Sequence, residues 1–305
     1  MKRILRTICL ALAVLNSIAH ATPPSISKTI AVDGVKRHYL VFVPDASPDV
    51  RAFPVVFVFH GANNDSSWAE HVPGFSPLAE KKHFIVVYPD GINKRWNPLP
   101  VGSPGSKAKP DDVAFVSAII DDLQAHYRID PKRIYASGSS NGAIFCHALA
   151  ARLPNRIAAI GPVSGNLVEG ISQSFPPPSP VSVILFNGSD DPLVRYTGEP
   201  GRNGMGLLSV PNTIAFWVKV DGCENTPTKA TLPRAVPDEG TTVITFTFAK
   251  KASTAEVQAY VVEHGGHTWP GVPTDPGWAK IAGKTTMAVN ATETMWNFFE
   301  AHPKP

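Results

Sequence analysis

The sequence predicts an α/β fold: one mostly parallel sheet with helices on both faces. Short runs rich in Val, Ile, Tyr and Phe alternate with amphipathic stretches, the pattern of strands joined by crossover helices. Several of these runs are apolar at nearly every position, as parallel strands covered on both faces must be. No internal repeat or linker divides the chain of 305 residues, a length that α/β folds reach within one domain.

The predicted strands are residues 38–43, 54–59, 84–88, 133–136, 157–163 and 181–186, followed by 243–248 and 257–262. The helix predicted at 111–127 opens on two acids, which suit a helix N-terminus, and sets Val113, Val116, Ile120 and Leu123 along one face. Further helices are predicted at 140–153, 210–220 and 285–299, the last with Met287, Met295, Trp296 and Phe299 as core contacts. The Pro-rich stretch 175–180 and the Gly-rich stretch 198–206 read as surface loops.

The first residues predict an export signal. Lys2, Arg3 and Arg6 precede an apolar run at 8–15, and Ala19-His20-Ala21 supplies the small-x-small cleavage pattern. The run is too short to span a bilayer, which needs about 20 residues. The expectation is a signal peptide at 1–21, a single catalytic domain at 22–305, and a secreted or periplasmic location. Cleavage would remove three basic residues from a chain with 28 Lys+Arg and 25 Asp+Glu. No positive field then argues for nucleic acid or an anionic membrane as partner. Cys146 and Cys223 remain, and an oxidising compartment permits a bridge between them, although Cys146 also reads as a buried helical thiol.

Gly138-Ser139-Ser140-Asn141-Gly142 fits G-x-S-x-G. The pentapeptide alone is weak, but it directly follows a predicted strand and opens a predicted helix, the setting of a nucleophile elbow in an α/β-hydrolase. A serine hydroxyl needs a base to take its proton, and in this fold the partners follow in the order serine, acid, histidine. Asp190 and Asp191 end an apolar strand; either can accept the imidazole N–H, and either can instead cap a turn. Of the later histidines, His302 lies close to the C-terminus, while His264 and His267 follow the strand at 257–262. His267 is favoured because its Gly-flanked loop permits close approach; a metal pair with His264 lacks a third ligand. The oxyanion would be held by the backbone N–H of Asn141 and that of Ala62, or failing that Asn63, after the strand at 54–59. His60 stands in the wrong place for the base and reads as a structural hydrogen-bonding residue.

These blocks resemble the polyhydroxybutyrate depolymerase-like esterases, which include feruloyl and acetylxylan esterases. The resemblance runs through Asp33-Gly34, residues 39–44, His60-Gly61, residues 88–91, Trp96-Asn97, residues 111–115 and Ser140-Asn141-Gly142. It continues through residues 188–192 with Tyr196, then Gly222-Cys223 and residues 266–271. It implies Asp191 as the acid, because the family's acid directly precedes a proline, and His267 as the base. Trp269 is implied as a wall of the substrate pocket, with ordinary packing as the competing role. Asn187, where the family often has His, and Arg195, where Pro is usual, depart from the pattern in ways that can alter the pocket. The function implied is a serine carboxylic-ester hydrolase working through an acyl-enzyme without metal or organic cofactor. Its partner would be a small-molecule or polymeric ester: feruloyl or acetyl esters, or short hydroxyalkanoate esters. Depolymerisation of solid polyester is a second reading that an appended adsorption domain would favour, and none is visible. A peptidase on the same fold and a ligand-binding relative without catalysis complete the set of candidate functions.

Overall fold

The computed structural model describes residues 24–45, 51–103, 106, 111–174, 179–201, 204–233, 240–249 and 255–305. The predicted leader at 1–21 lies outside them, as do parts of the loops predicted at 175–180 and 198–206. In chain order the elements are β1 (Ile26–Val32), β2 (Val35–Phe42), β3 (Phe53–Phe59), α1 (Ser66–His71), α2 (Phe75–Lys82), β4 (Ile85–Pro89), α3 (Asp112–His126), β5 (Ile129–Ser139) and α4 (Asn141–Arg152). They continue with β6 (Ala159–Val163), α5 (Glu169–Ser174), β7 (Ser182–Gly188), α6 (Val210–Val220), β8 (Thr228–Thr231), β9 (Thr242–Phe248), β10 (Val257–Glu263), α7 (Pro276–Ala282) and α8 (Ala291–Ala301).

One sheet runs in the order β1-β2-β4-β3-β5-β6-β7-β10-β9-β8. From β4 to β10 neighbouring strands are parallel, and antiparallel pairs close both edges. Alternation along each strand divides the core in two. Val55, Phe57 and Phe59 of β3 pack with α3, α4 and α6, whereas Val56 and Val58 pack with α2 and α8 on the opposite face. The helix at α3 forms as predicted, with the Asp111 side chain accepting the Val113 N–H at 2.9 Å and all four expected apolar residues buried.

Several elements leave no trace in the sequence pattern. β1 and β8 are edge strands, exposed along most of their length, so they carry no apolar signature. The helices α1, α2, α5 and α7 have six to eight residues, too few for a 3.6-residue period to show. The helix predicted at 285–299 begins only at Ala291, where Asn290 caps it by accepting the Glu293 N–H at 3.1 Å. Met287 therefore precedes the helix and is exposed rather than a core contact, whereas Met295, Trp296 and Phe299 are buried. His302, close to the C-terminus, is held: its Nδ1 donates to the Phe298 carbonyl at 2.7 Å and its ring stacks on Phe298. Cys146 and Cys223 are not bonded to each other. Burial pushes the Cys146 thiol well up, and the Cys223 thiol donates to the Ala255 carbonyl at 3.7 Å.

Asp221, directly after α6, is fully buried. One carboxyl oxygen accepts the Val181 N–H at 3.0 Å and so ties α6 to the start of β7; the other has no partner among the described residues. Burial pushes its pKa up to about 8 from 3.8. The folded protein thus keeps a proton that the unfolded chain loses, and stability should fall as pH rises between about 4 and about 8. The expected loss in urea unfolding experiments is up to roughly 1.4 kcal/mol per pH unit. Asp221→Asn should flatten that slope; a slope equal to that of the unmodified chain would contradict this assignment.

Candidate active site

The candidate nucleophile sits where backbone and neighbours conflict most. Ser140 has φ 56° and ψ −120°, a region that costs an L-residue of order 1–3 kcal/mol. Its N–H donates to the Val163 carbonyl and its carbonyl accepts from Ile144, each at 2.9 Å, so sheet and helix fix both sides of the turn. A Cβ at Gly138 would lie 2.8 Å from the Phe59 oxygen, and one at Gly142 would overlap the Phe59 and His60 carbonyls. Here the absence of a side chain is demanded by the close approach of β3, β5 and α4.

Ser140 opens onto a cleft of about 690 Å³ that His267, Ala62 and Trp269 also line. His267 is buried, and its Nδ1 donates to Asp191 Oδ2 at 2.7 Å. The other Asp191 oxygen accepts the N–H groups of Leu193 and Val194, both at 2.8 Å. Both carboxylate oxygens are thus engaged, and Nε2 is left as the ring nitrogen available for proton transfer. Asp190 and His264, by contrast, form an exposed pair at 3.3 Å. The two histidines of the H-x-x-H pattern therefore face different carboxylates, and no cluster of three metal-ligating side chains occurs among the described residues. The structure brings Ser140 and His267 to one cleft but makes no hydrogen bond between them. Such contacts commonly tighten only once substrate is bound.

The N–H groups of Ala62 and Asn141 take no acceptor among the described residues, whereas Asn63 N–H is already given to the Lys94 carbonyl at 3.0 Å. That leaves Ala62 and Asn141 as the open donor pair. His60 is fully buried between two fixed partners: Nδ1 donates to the Gly61 carbonyl at 2.8 Å and Nε2 accepts the Gly91 N–H at 3.0 Å. Burial lowers its pKa, so it holds the loop as a neutral ring. Trp269 lines the cleft, and its indole N–H donates to the Thr292 hydroxyl at 3.0 Å.

Other contributors escape a reading of the sequence. The Asn141 side chain clasps the Trp96 backbone, accepting at 2.7 Å and donating at 3.1 Å. Asn97 N–H donates to Asp112, which also pairs with buried Arg37 at 2.8 Å. Asn166 donates to the Arg195 and Leu208 carbonyls and accepts from Asn187, anchoring the far end of the Asp191 loop. Asn187 therefore serves that anchor and does not line the main cleft, nor does Arg195. Trp96-Asn97 is visible as a motif without a role, and Asn166 leaves no signal.

A family model described as Esterase PHB depolymerase matches residues 37–193, about half of the chain. The chain belongs to this esterase family. The provisionally named esterase NocK of Nocardia uniformis subsp. tsuyamanensis is 27% identical over 296 residues, 92% of this chain and 83% of that relative. Feruloyl esterase B of Piromyces equi is 27% identical over 205 residues, 64% of this chain but only 37% of the relative's length. An acetyl xylan esterase from Aspergillus awamori superposes with a TM-score of 0.60 at 16% identity, covering 90% of this chain and 99% of that one. That last likeness establishes the α/β-hydrolase fold. Family membership places the protein among carboxylic ester hydrolases.

Gly142→Ala tests the elbow. Forcing a methyl against two carbonyls is expected to cost about 1–3 kcal/mol, lowering the melting temperature by several degrees and slowing fluorophosphonate labelling of Ser140. An unchanged melting curve and labelling rate would show that the turn tolerates a side chain.

Proposed function

We propose that the protein is an exported, single-domain serine esterase with Ser140 as nucleophile, His267 as base and Asp191 as the orienting acid. The observation that carries this is the buried 2.7 Å Asp191–His267 hydrogen bond beside a cleft shared with the strained serine. Ser140 Oγ attacks the ester carbonyl carbon and its proton passes to His267 Nε2. The Ala62 and Asn141 N–H groups take the oxyanion, a contribution worth about 100- to 1000-fold per donor in comparable enzymes. The tetrahedral species expels the alcohol, which leaves with the proton from Nε2, and an acyl-enzyme remains. Water then attacks, giving its proton to Nε2, and collapse releases the acid and returns the proton to Ser140. Asp191 stabilises the imidazolium at both stages. Every proton in this scheme moves between groups of the chain, substrate and water.

The substrates proposed are feruloyl, acetyl or short hydroxyalkanoate esters, supported by the family and by the feruloyl esterase among the relatives. The leader at 1–21 would deliver the domain at 22–305 outside the cytoplasm. No helix among the described residues is long and apolar enough to cross a membrane.

The test is hydrolysis of methyl ferulate, an aryl acetate and a soluble 3-hydroxybutyrate oligomer. Ser140→Ala is expected to lower kcat by at least about 10⁴-fold. Asp191→Asn should lower it by about 10⁴-fold with the fold intact. Retention of most activity by Ser140→Ala would overturn the mechanism. Absence of both turnover and fluorophosphonate labelling would favour a ligand-binding role without catalysis.

A further inference from the structure

Three tryptophans line the cleft: Trp68 on α1, Trp269, and Trp278 on α7. They are not equivalent. Trp269 is 5% exposed, its indole N–H held by Thr292 and its ring set edge-on to Phe75. Trp278 is 43% exposed. Packing accounts for the first but leaves the second as open aromatic surface beside the candidate nucleophile.

The helix that carries Trp278 is seven residues long, too short to be stable alone, and the active-site loop holds it in place. Asp275 caps it by accepting the Gly277 and Trp278 N–H groups at 2.9 and 3.1 Å. At its other end the Ala282 carbonyl accepts the backbone N–H of His267 itself at 2.6 Å, and the Lys284 carbonyl accepts that of Gly266 at 2.8 Å. The hydroxyls of Thr274 and Thr285 join the two flanks at 2.8 Å. A Cβ on Gly266 would overlap the Ala282 carbonyl, so loop and helix are in backbone contact. The backbone that carries Trp278 therefore stands at a fixed position relative to His267.

The charges of the cleft complete the picture. No lysine or arginine lines it; besides His267, its ionisable residues are His71 and Asp275. An anionic substituent entering it would lose water and meet the Asp275 carboxylate with no lysine or arginine to compensate. A neutral apolar or aromatic group would meet indole faces, which favour such contacts beyond simple area burial.

We propose that Trp278, together with Trp68, is the specificity-determining element of this cleft. It receives a neutral apolar or aromatic substituent of the ester and discriminates against esters carrying a carboxylate there. The proposal rests on the esterase reading above. It separates neutral esters from soluble hydroxyacid oligomers that end in a free carboxylate.

The test is steady-state kinetics on methyl cinnamate and benzyl acetate, which place the ring on either side of the ester. The ring-carboxylated counterpart of each, and methyl acetate as a small reference, complete the series. For the unmodified protein, kcat/KM of at least one neutral aromatic ester should exceed that of its carboxylated counterpart by at least about tenfold, or about 1.4 kcal/mol. Trp278→Ala should lower kcat/KM for that ester at least about tenfold more than for methyl acetate, chiefly through KM, as loss of uniform binding does. Trp278→Phe should recover most of the difference. Ile281→Ser, three residues along α7 and outside the cleft lining, should leave the ratio unaltered. Equal turnover of neutral and carboxylated esters, or an equal effect of Trp278→Ala on every substrate, would overturn the proposal while leaving the esterase standing. If the unmodified protein turns over none of these esters and Ser140 resists fluorophosphonate, both readings fall together.

Discussion

The backbone contact between β3 and the β5–α4 turn is the constraint on which the site depends. Gly138 and Gly142 let the turn press against the carbonyls of Phe59 and His60. Only at that spacing does the chain reverse within a few residues and leave Ser140 at positive φ. The same contact sets the turn before α4 beside the loop that leaves β3, so Ser140 and Ala62 come to line one cleft. Local strain of this kind persists only where surrounding structure over-determines it. Here the apolar core on both faces of the sheet supplies that rigidity, with Phe59, Phe145 and Trp96 packed ring to ring around the turn.

Asp191 and His267 arrive by a different route. The Asp191 loop leaves β7 and the His267 loop leaves β10, and these strands are parallel neighbours in register from Val183 to Gly188. Parallel pairing puts both C-terminal ends on the same edge of the sheet, where ligand sites of open α/β folds gather. Each loop is then fastened separately: Asp191 by its own turn and by Asn166 beyond it, His267 by the backbone of α7. Preorganisation here comes mainly from main-chain hydrogen bonds, which leave few side-chain signatures.

A second line of support runs from the far edge of the sheet. Arg37 on β2 pairs with Asp112, Asp112 accepts from Asn97, and the adjoining Trp96 backbone is clasped by Asn141. Arg37 also lies over the Phe115 ring at 4.0 Å. A buried ion pair is weak evidence for stability by itself, and its place in this chain of contacts gives it a positioning role.

The sequence by itself determined the class of fold, the central strands and the elbow, because each depends on local chemistry: apolar runs long enough for buried parallel strands, and glycines at fixed offsets from a serine. It also limited the candidate acid to Asp190 or Asp191 and favoured His267 among the later histidines, through chain order and a glycine-flanked loop. Only the tertiary structure showed that Asp190 faces His264 at the surface while Asp191 faces His267 in the interior, because adjacent residues in a turn point to different environments. Only it gave Asn63 N–H to Lys94 and left Ala62 N–H open. The start of α8, the edge strands and the exposure of Trp278 beside the cleft were likewise decided in three dimensions. A cap, an exposed edge and an aromatic residue on a short helix take their meaning from what packs beside them, and no periodicity in the chain encodes that.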